Sequence, residues 1–210
     1  MTPLRDRRQL ALIGTGYALG AIALPWLTPY ATYNPWDLVG VALIVAMLPS
    51  AALARYLSFQ RRGRNGSIDE DVSSVLSIRE IGFRLTLFEI ALHVLILANL
   101  AAGFELRSIV PARLVVVFLG VLLIGIGDLL PRTRPNLAVG IRTAATLANR
   151  DLWIRLHRVA AYAVVGFGAV IVMAGTFLRN PTMPQVIGIA AWTTVAIIVA
   201  TYRRYSAAAS

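Results

Sequence analysis

Two carboxylates and one histidine of this sequence fall inside apolar runs: Glu89, Asp128 and His93. Glu89 and His93 are four residues apart, which puts both on one face of a helix, with Asn99 further along the same run. A carboxylate in lipid costs several kcal/mol unless it is protonated, paired or hydrated, so Glu89 demands a partner, with His93 or an arginine as candidates. Counted from Arg84 at about 1.5 Å per residue, Glu89 lies roughly 7 Å and His93 roughly 13 Å into the membrane. Asp128 sits two residues before Leu130 on a helix running the other way, which predicts a layer shared with Glu89. Such a set fits a structural polar cluster, a proton or ion pathway, or a ligand site. It does not fit a metal or a haem. Glu89 and His93 are two ligands short of a closed zinc site, and His93 and His157 are roughly 13 Å apart in depth, too far to face each other across one haem plane.

The second concentration of chemistry runs from Gly127 to Arg158. Pro131 and Pro135 break the helix and hold an extended turn, and Gly140 offers a backbone position that a side chain would crowd. Asn149 is placed to cap a new helix with Asp151 in its first turn, and Leu152, Trp153, Leu156 and Val159 make an apolar stripe leading into the next span. Trp153 and His157 are one turn apart on a common face. Arg132, Arg134, Arg142, Arg155 and Arg158 supply donors suited to carboxylates or lipid phosphates. Asn136, Trp153 and His157 join Arg132, Arg134, Arg142 and Arg158 as candidates for binding a partner or ligand. For Trp153 the plainer reading is interfacial anchoring, and for His157 a hydrogen-bonded structural role.

The elements that must carry these residues follow from composition. Of 210 residues, 58% are hydrophobic and 14% charged, with a mean hydropathy of +0.70. A soluble domain carries about a quarter charged residues, so this chain has too little polar surface for water and belongs in a bilayer. Six apolar segments are long enough to cross: 10–27, 38–57, 85–102, 114–130, 159–178 and 186–202. Open sheets leave unsatisfied edges in lipid, so the expectation is an all-α, polytopic bundle forming one membrane domain over 1–210. The amino-terminal run is read as a span because it lacks a cleavage site for a signal peptide.

All 20 basic residues are arginine. Counted on alternate sides of the six spans, 17 fall on one side and 3 (Arg107, Arg113, Arg179) on the other. The positive-inside rule places the 17, and both termini, in the cytoplasm, here of a bacterial inner membrane. This reads the net charge of +10 as topology, with no nucleic-acid partner implied. The absence of cysteine excludes disulfides, thiolate metal sites and a cysteine nucleophile.

Trp26, Tyr30, Tyr33 and Trp36 with Pro25, Pro29 and Pro35 predict an aromatic belt on a stiff outer turn. The cytoplasmic segment 58–83 opens with a polar hinge at 61–66. The capping pattern Ser67-Ile68-Asp69-Glu70 then predicts a short amphipathic helix carrying Val72, Val75, Leu76 and Ile81. A GxxxG at Gly16 and Gly20 and glycines at 120, 125, 127, 166 and 168 predict close helix contacts, within the monomer or in a homodimer. Pro49 is expected to kink the second span.

The run Gly127, Leu130, Pro131, Arg132, Arg134, Pro135, Asn136, Gly140, Ile141, Arg142, Thr143, Thr146, Leu147, Trp153, His157 and Arg158 resembles the signature of the SdpI (sporulation-delaying-protein immunity) family of bacterial membrane proteins. The resemblance covers about a third of the chain, and the total length and six spans are also similar to the family. Departures are Asp128 for the family's Asn, Ala144-Ala145 for its Pro-Trp pair, and Leu156 for its Thr. The resemblance implies a non-enzymatic immunity and signalling protein that binds a secreted, membrane-active peptide toxin and presents its cytoplasmic face to a regulator. It implies no cofactor. The alternatives are a small proton-coupled transporter using Glu89, His93 and Asp128, or an accessory subunit of a larger membrane complex. No nucleophile motif or metal constellation supports an enzyme.

Overall fold

The computed structural model describes residues 3–27, 45–58, 72–101, 110–178 and 182–207. The expected aromatic belt, the polar hinge with its capping pattern, Arg107 and Arg179 lie outside the described residues or side chains. Among the described residues the chain forms seven α-helices: α1 (Pro3–Leu27), α2 (helical over 45–58), α3 (Val72–Ala101), α4 (Val110–Leu129), the short α5 (Ala144–Ala148), α6 (Arg150–Phe177) and α7 (Thr182–Ala207). Four stretches are long and apolar enough to cross a membrane, Val72–Ala98, Arg113–Arg132, Arg150–Phe177 and Thr182–Ala207. The first expected span lies within α1, one uninterrupted helix of 25 residues.

The amphipathic stretch from Val72 is the first part of α3 and not a separate helix. Arg79 and Arg84 interrupt the hydropathy there, but charge does not interrupt the i→i−4 ladder, and no proline falls between Val72 and Ala101. Pro131 does stop α4. It has no N–H to give, and the chain tightens into a 3₁₀ turn over Leu130–Arg132.

The chain forms two compact units. The first comprises Met1–Ser58 and Leu85–Ala112, the second Phe59–Arg84 and Arg113–Ser210. In the first, the GxxxG of α1 packs within the monomer: a Cβ on Gly16 would meet Ile90 Cδ1 at 2.6 Å, and one on Gly20 would meet Val45 Cγ1 at 2.6 Å. Leu19, Ala23, Val45 and Leu97 close an apolar cluster beside it. Pro49 lies inside α2, fully buried.

In the second unit α4 and α6 meet backbone to backbone. A Cβ on Gly168 would lie 2.7 Å from the Gly120 carbonyl, and one on Gly120 equally close to the Gly168 carbonyl. Gly166, two residues away, faces open space and takes no part. Gly168→Val is therefore expected to force α4 and α6 apart and cost about 1–3 kcal/mol, read as a lowered unfolding midpoint in mild detergent. Gly166→Val serves as the matched control with little change. α7 packs along α6, and none of its residues is buried.

Candidate functional site

The second unit holds a closed loop built between α4 and α6. Thr133, the first residue after the 3₁₀ turn, is fully buried; its hydroxyl donates to the Leu130 carbonyl at 2.7 Å. The Arg134 amide donates to Ser74 Oγ of α3 at 2.8 Å. Asn136 then organises the turn: its Oδ1 accepts from the amides of Ala138 and Val139, both at 2.8 Å, and its Nδ2 donates to the Arg134 carbonyl at 2.7 Å. An Asn side chain mimics a backbone turn in this way. Arg142 Nη1 donates to the Leu137 carbonyl across the same loop.

Gly140 has φ +114°, a region closed to residues with a Cβ. A Cβ there would run into His157 Nε2. That bare backbone lets the next amide reach the imidazole: Ile141 N–H donates to His157 Nε2 at 2.9 Å. The other ring nitrogen lies 2.9 Å from the Trp153 carbonyl. An amide can only donate and a carbonyl can only accept, so His157 is the neutral tautomer protonated at Nδ1. The Trp153 and His157 rings stack, with centroids 3.9 Å apart and planes 15° from parallel. Trp153 Nε1 donates to the Thr133 carbonyl at 3.1 Å, which ties α6 back to the end of α4.

The loop's exit is fastened by threonines. Thr143 caps α5 in a reciprocal box with Thr146, and the buried Thr146 hydroxyl donates to the Ile141 carbonyl at 2.7 Å. Asn149 caps α6, accepting from the Leu152 amide at 2.9 Å, with Asp151 in the first turn. The polar atoms of Asn136, Trp153 and His157 are thus engaged inside the loop, while Arg132, Arg142, Arg155 and Arg158 are exposed on its outside. Asp128 is exposed and bridges to Arg132 at 3.2 Å on the same helical side, with 59% and 58% of the two side chains open to solvent. Such a pair contributes little to stability.

Trp153→Phe keeps a ring for the stack but removes the Nε1 donor, leaving the Thr133 carbonyl without that partner. A loss of about 1–2 kcal/mol is expected, measured by unfolding in detergent, with faster hydrogen exchange confined to the loop.

Glu89 and His93 lie in the first unit, Asp128 in the second. The partner of Glu89 is Arg55 of α2, whose Nη1 meets Glu89 Oε1. Arg55 Nη2 also donates to Thr86 Oγ1 at 2.9 Å, and Gln9 Nε2 of α1 donates to the same oxygen at 2.8 Å. Only 18% of the Arg55 and 19% of the Glu89 side chain is exposed, and Thr86 is fully buried. From the sequence alone Arg55 is one of the 17 arginines that set topology. Its position two residues before the end of the second apolar run, at the inner boundary from which Glu89 is also counted, was the available signal. Ser74, Gln9 and Thr86 carry none, being ordinary polar residues at or outside the edges of the expected spans. Arg84 too does more than set topology: it pairs with Glu80 at 3.2 Å and donates to the Gly125 carbonyl of α4. Among the described residues no three His, Cys, Asp or Glu side chains gather as a metal site.

Residues 132–202 match the SdpI/YfhL protein family, the family that the loop signature resembles. The match begins at Arg132 and takes in the whole loop from there, α5, α6 and most of α7. No curated protein and no solved structure matches the chain.

Proposed function

Since residues 132–202 carry the SdpI/YfhL family match in a multi-pass, all-α membrane chain, we propose that this protein confers immunity against a membrane-active peptide and signals its presence. It does so by binding, not by catalysis. The chain crosses the inner membrane six times with both termini in the cytoplasm, a reading supported by the arginine asymmetry of the sequence. The loop between α4 and α6 then faces the cytoplasm.

One observation carries this reading: the signature residues form an internally bonded clasp with arginines on its outside. Asn136, Thr146, Trp153 and His157 spend their polar groups on holding the loop's shape. Arg158, together with the donors that Arg132 and Arg142 do not spend on Asp128 and the Leu137 carbonyl, offers an acidic surface on a cytoplasmic regulator or lipid phosphates a place to bind. The departures from the family pattern support a changed partner on a kept frame. Asp128, Ala144 and Ala145 are exposed, and only Leu156 is buried.

The test is deletion of the gene followed by challenge with the cells' own secreted peptides. The deletion strain is expected to be sensitised, and complementation with an Arg132→Gln/Arg158→Gln variant is expected to supply a folded protein that does not signal. Unchanged sensitivity after deletion contradicts the immunity role.

A further inference from the structure

We propose that Glu89 and His93 form a water-linked proton site inside the first unit, continued by the polar side chains of Thr86 and Gln9 on one side and closed beyond His93 on the other. The proposal does not rest on the immunity reading, since the site lies outside residues 132–202.

Four buried polar atoms in this unit make no hydrogen bond among the described residues: Glu89 Oε2, Arg55 Nε and both ring nitrogens of His93. His93 is fully buried. The Gly16 carbonyl faces its ring and Gly20 packs against Nε2, but no contact reaches hydrogen-bond geometry. Buried polar atoms are rarely left so, and each orphan costs about 1–3 kcal/mol. The four match in number as donors and acceptors but do not meet one another. A neutral imidazole brings one donor and one acceptor, Arg55 Nε brings a donor and Glu89 Oε2 an acceptor.

Glu89 and His93 are one helical turn apart, about 6 Å between their Cβ atoms, a gap that a water molecule with two hydrogen bonds spans. Glu89 also cancels the Arg55 charge that an imidazolium one turn away would otherwise face in lipid. The step is simple: a hydronium arriving through the water gives its proton to a ring nitrogen of His93, an N–H bond forms as an O–H bond breaks, and water is left. The groups that face the pair are, from α1, Gln9 and the Gly16 carbonyl; from α2, Arg55; and from α3, Thr86. Arg7 and Arg8 are exposed on α1.

The polar series stops at His93. One turn further, Leu97 joins Ala23, Leu19 and Val45 in the apolar cluster. A site with polar groups on one side and a dry plug on the other loads a proton without passing it across.

The full chain in bilayers, labelled with ¹⁵N-histidine, tests this, because it has only two histidines and His93→Phe identifies the signal. On acidification from about pH 8 to about pH 5, His93 is expected to gain a doubly protonated signal with water contact. That signal is expected to be lost in Glu89→Gln and kept in Glu89→Asp. Proteoliposomes are expected to show no proton flux above protein-free vesicles. A His93 that stays neutral and dry throughout, a Glu89→Gln variant that responds like the parent, or a Glu89-dependent flux each overturns the proposal; the first needs no variant to fold.

Discussion

Gly140→Ala is expected to open the loop between α4 and α6, although residue 140 is itself exposed. Two costs combine. At φ +114° any Cβ is strained, by about 1–3 kcal/mol. The new methyl also occupies the approach of His157 Nε2, so the Ile141 amide and the imidazole lose each other at roughly another 1–2 kcal/mol. A total near 3 kcal/mol or above is expected in unfolding experiments. Removing the ring separates the two parts: in a His157→Gly background, Gly140→Ala is expected to cost only the strain. Gly166→Ala, with open space around it, is expected to be neutral or slightly stabilising. Equal effects at 140 and 166 contradict the loop geometry.

The second large effect is expected at the Arg55–Glu89 pair. Glu89→Leu leaves the Arg55 guanidinium mostly buried beside Thr86 without its counter-charge. Breaking a buried pair from one side costs about 3–5 kcal/mol, whereas replacing both partners with apolar groups of similar size is close to neutral. Arg55→Met/Glu89→Leu is therefore expected to regain most of the stability lost by Glu89→Leu alone, with thermal unfolding in detergent as the readout. A double variant as unstable as the single one shows that the pair is not the cause.

Much of the loop was legible because its punctuation is local. Pro131 had to end α4, Gly140 had to adopt a backbone reserved for glycine, and Asn149 with Asp151 had to start a helix. Spacing also put Trp153 and His157 on one face. What periodicity does not encode is the acceptor for each donor. That the His157 ring bonds an amide sixteen residues earlier, and that Trp153 reaches back twenty to Thr133, depends on how α4 and α6 pack.

The same limit explains the first unit. An acid at depth announces that it needs a partner but not which one, and an arginine near a span end has a sufficient reason in topology. An arginine or His93 is legible as the class of partner; that it is Arg55 depends on how α2 packs against α3. Near Arg84 two signals part: hydropathy, which marks where lipid contact changes, divides the sequence there, whereas the helix ladder of α3 runs through from Val72 to Ala101.

The role assigned to the clasp requires it to face the cell interior. The chain contains no cysteine, so a single one placed at Leu137 (46% exposed) or at Arg142 is a clean reporter of sidedness. A membrane-impermeant thiol reagent is expected to label both variants in inverted vesicles and neither in intact cells. Labelling from outside intact cells would contradict the account at its root.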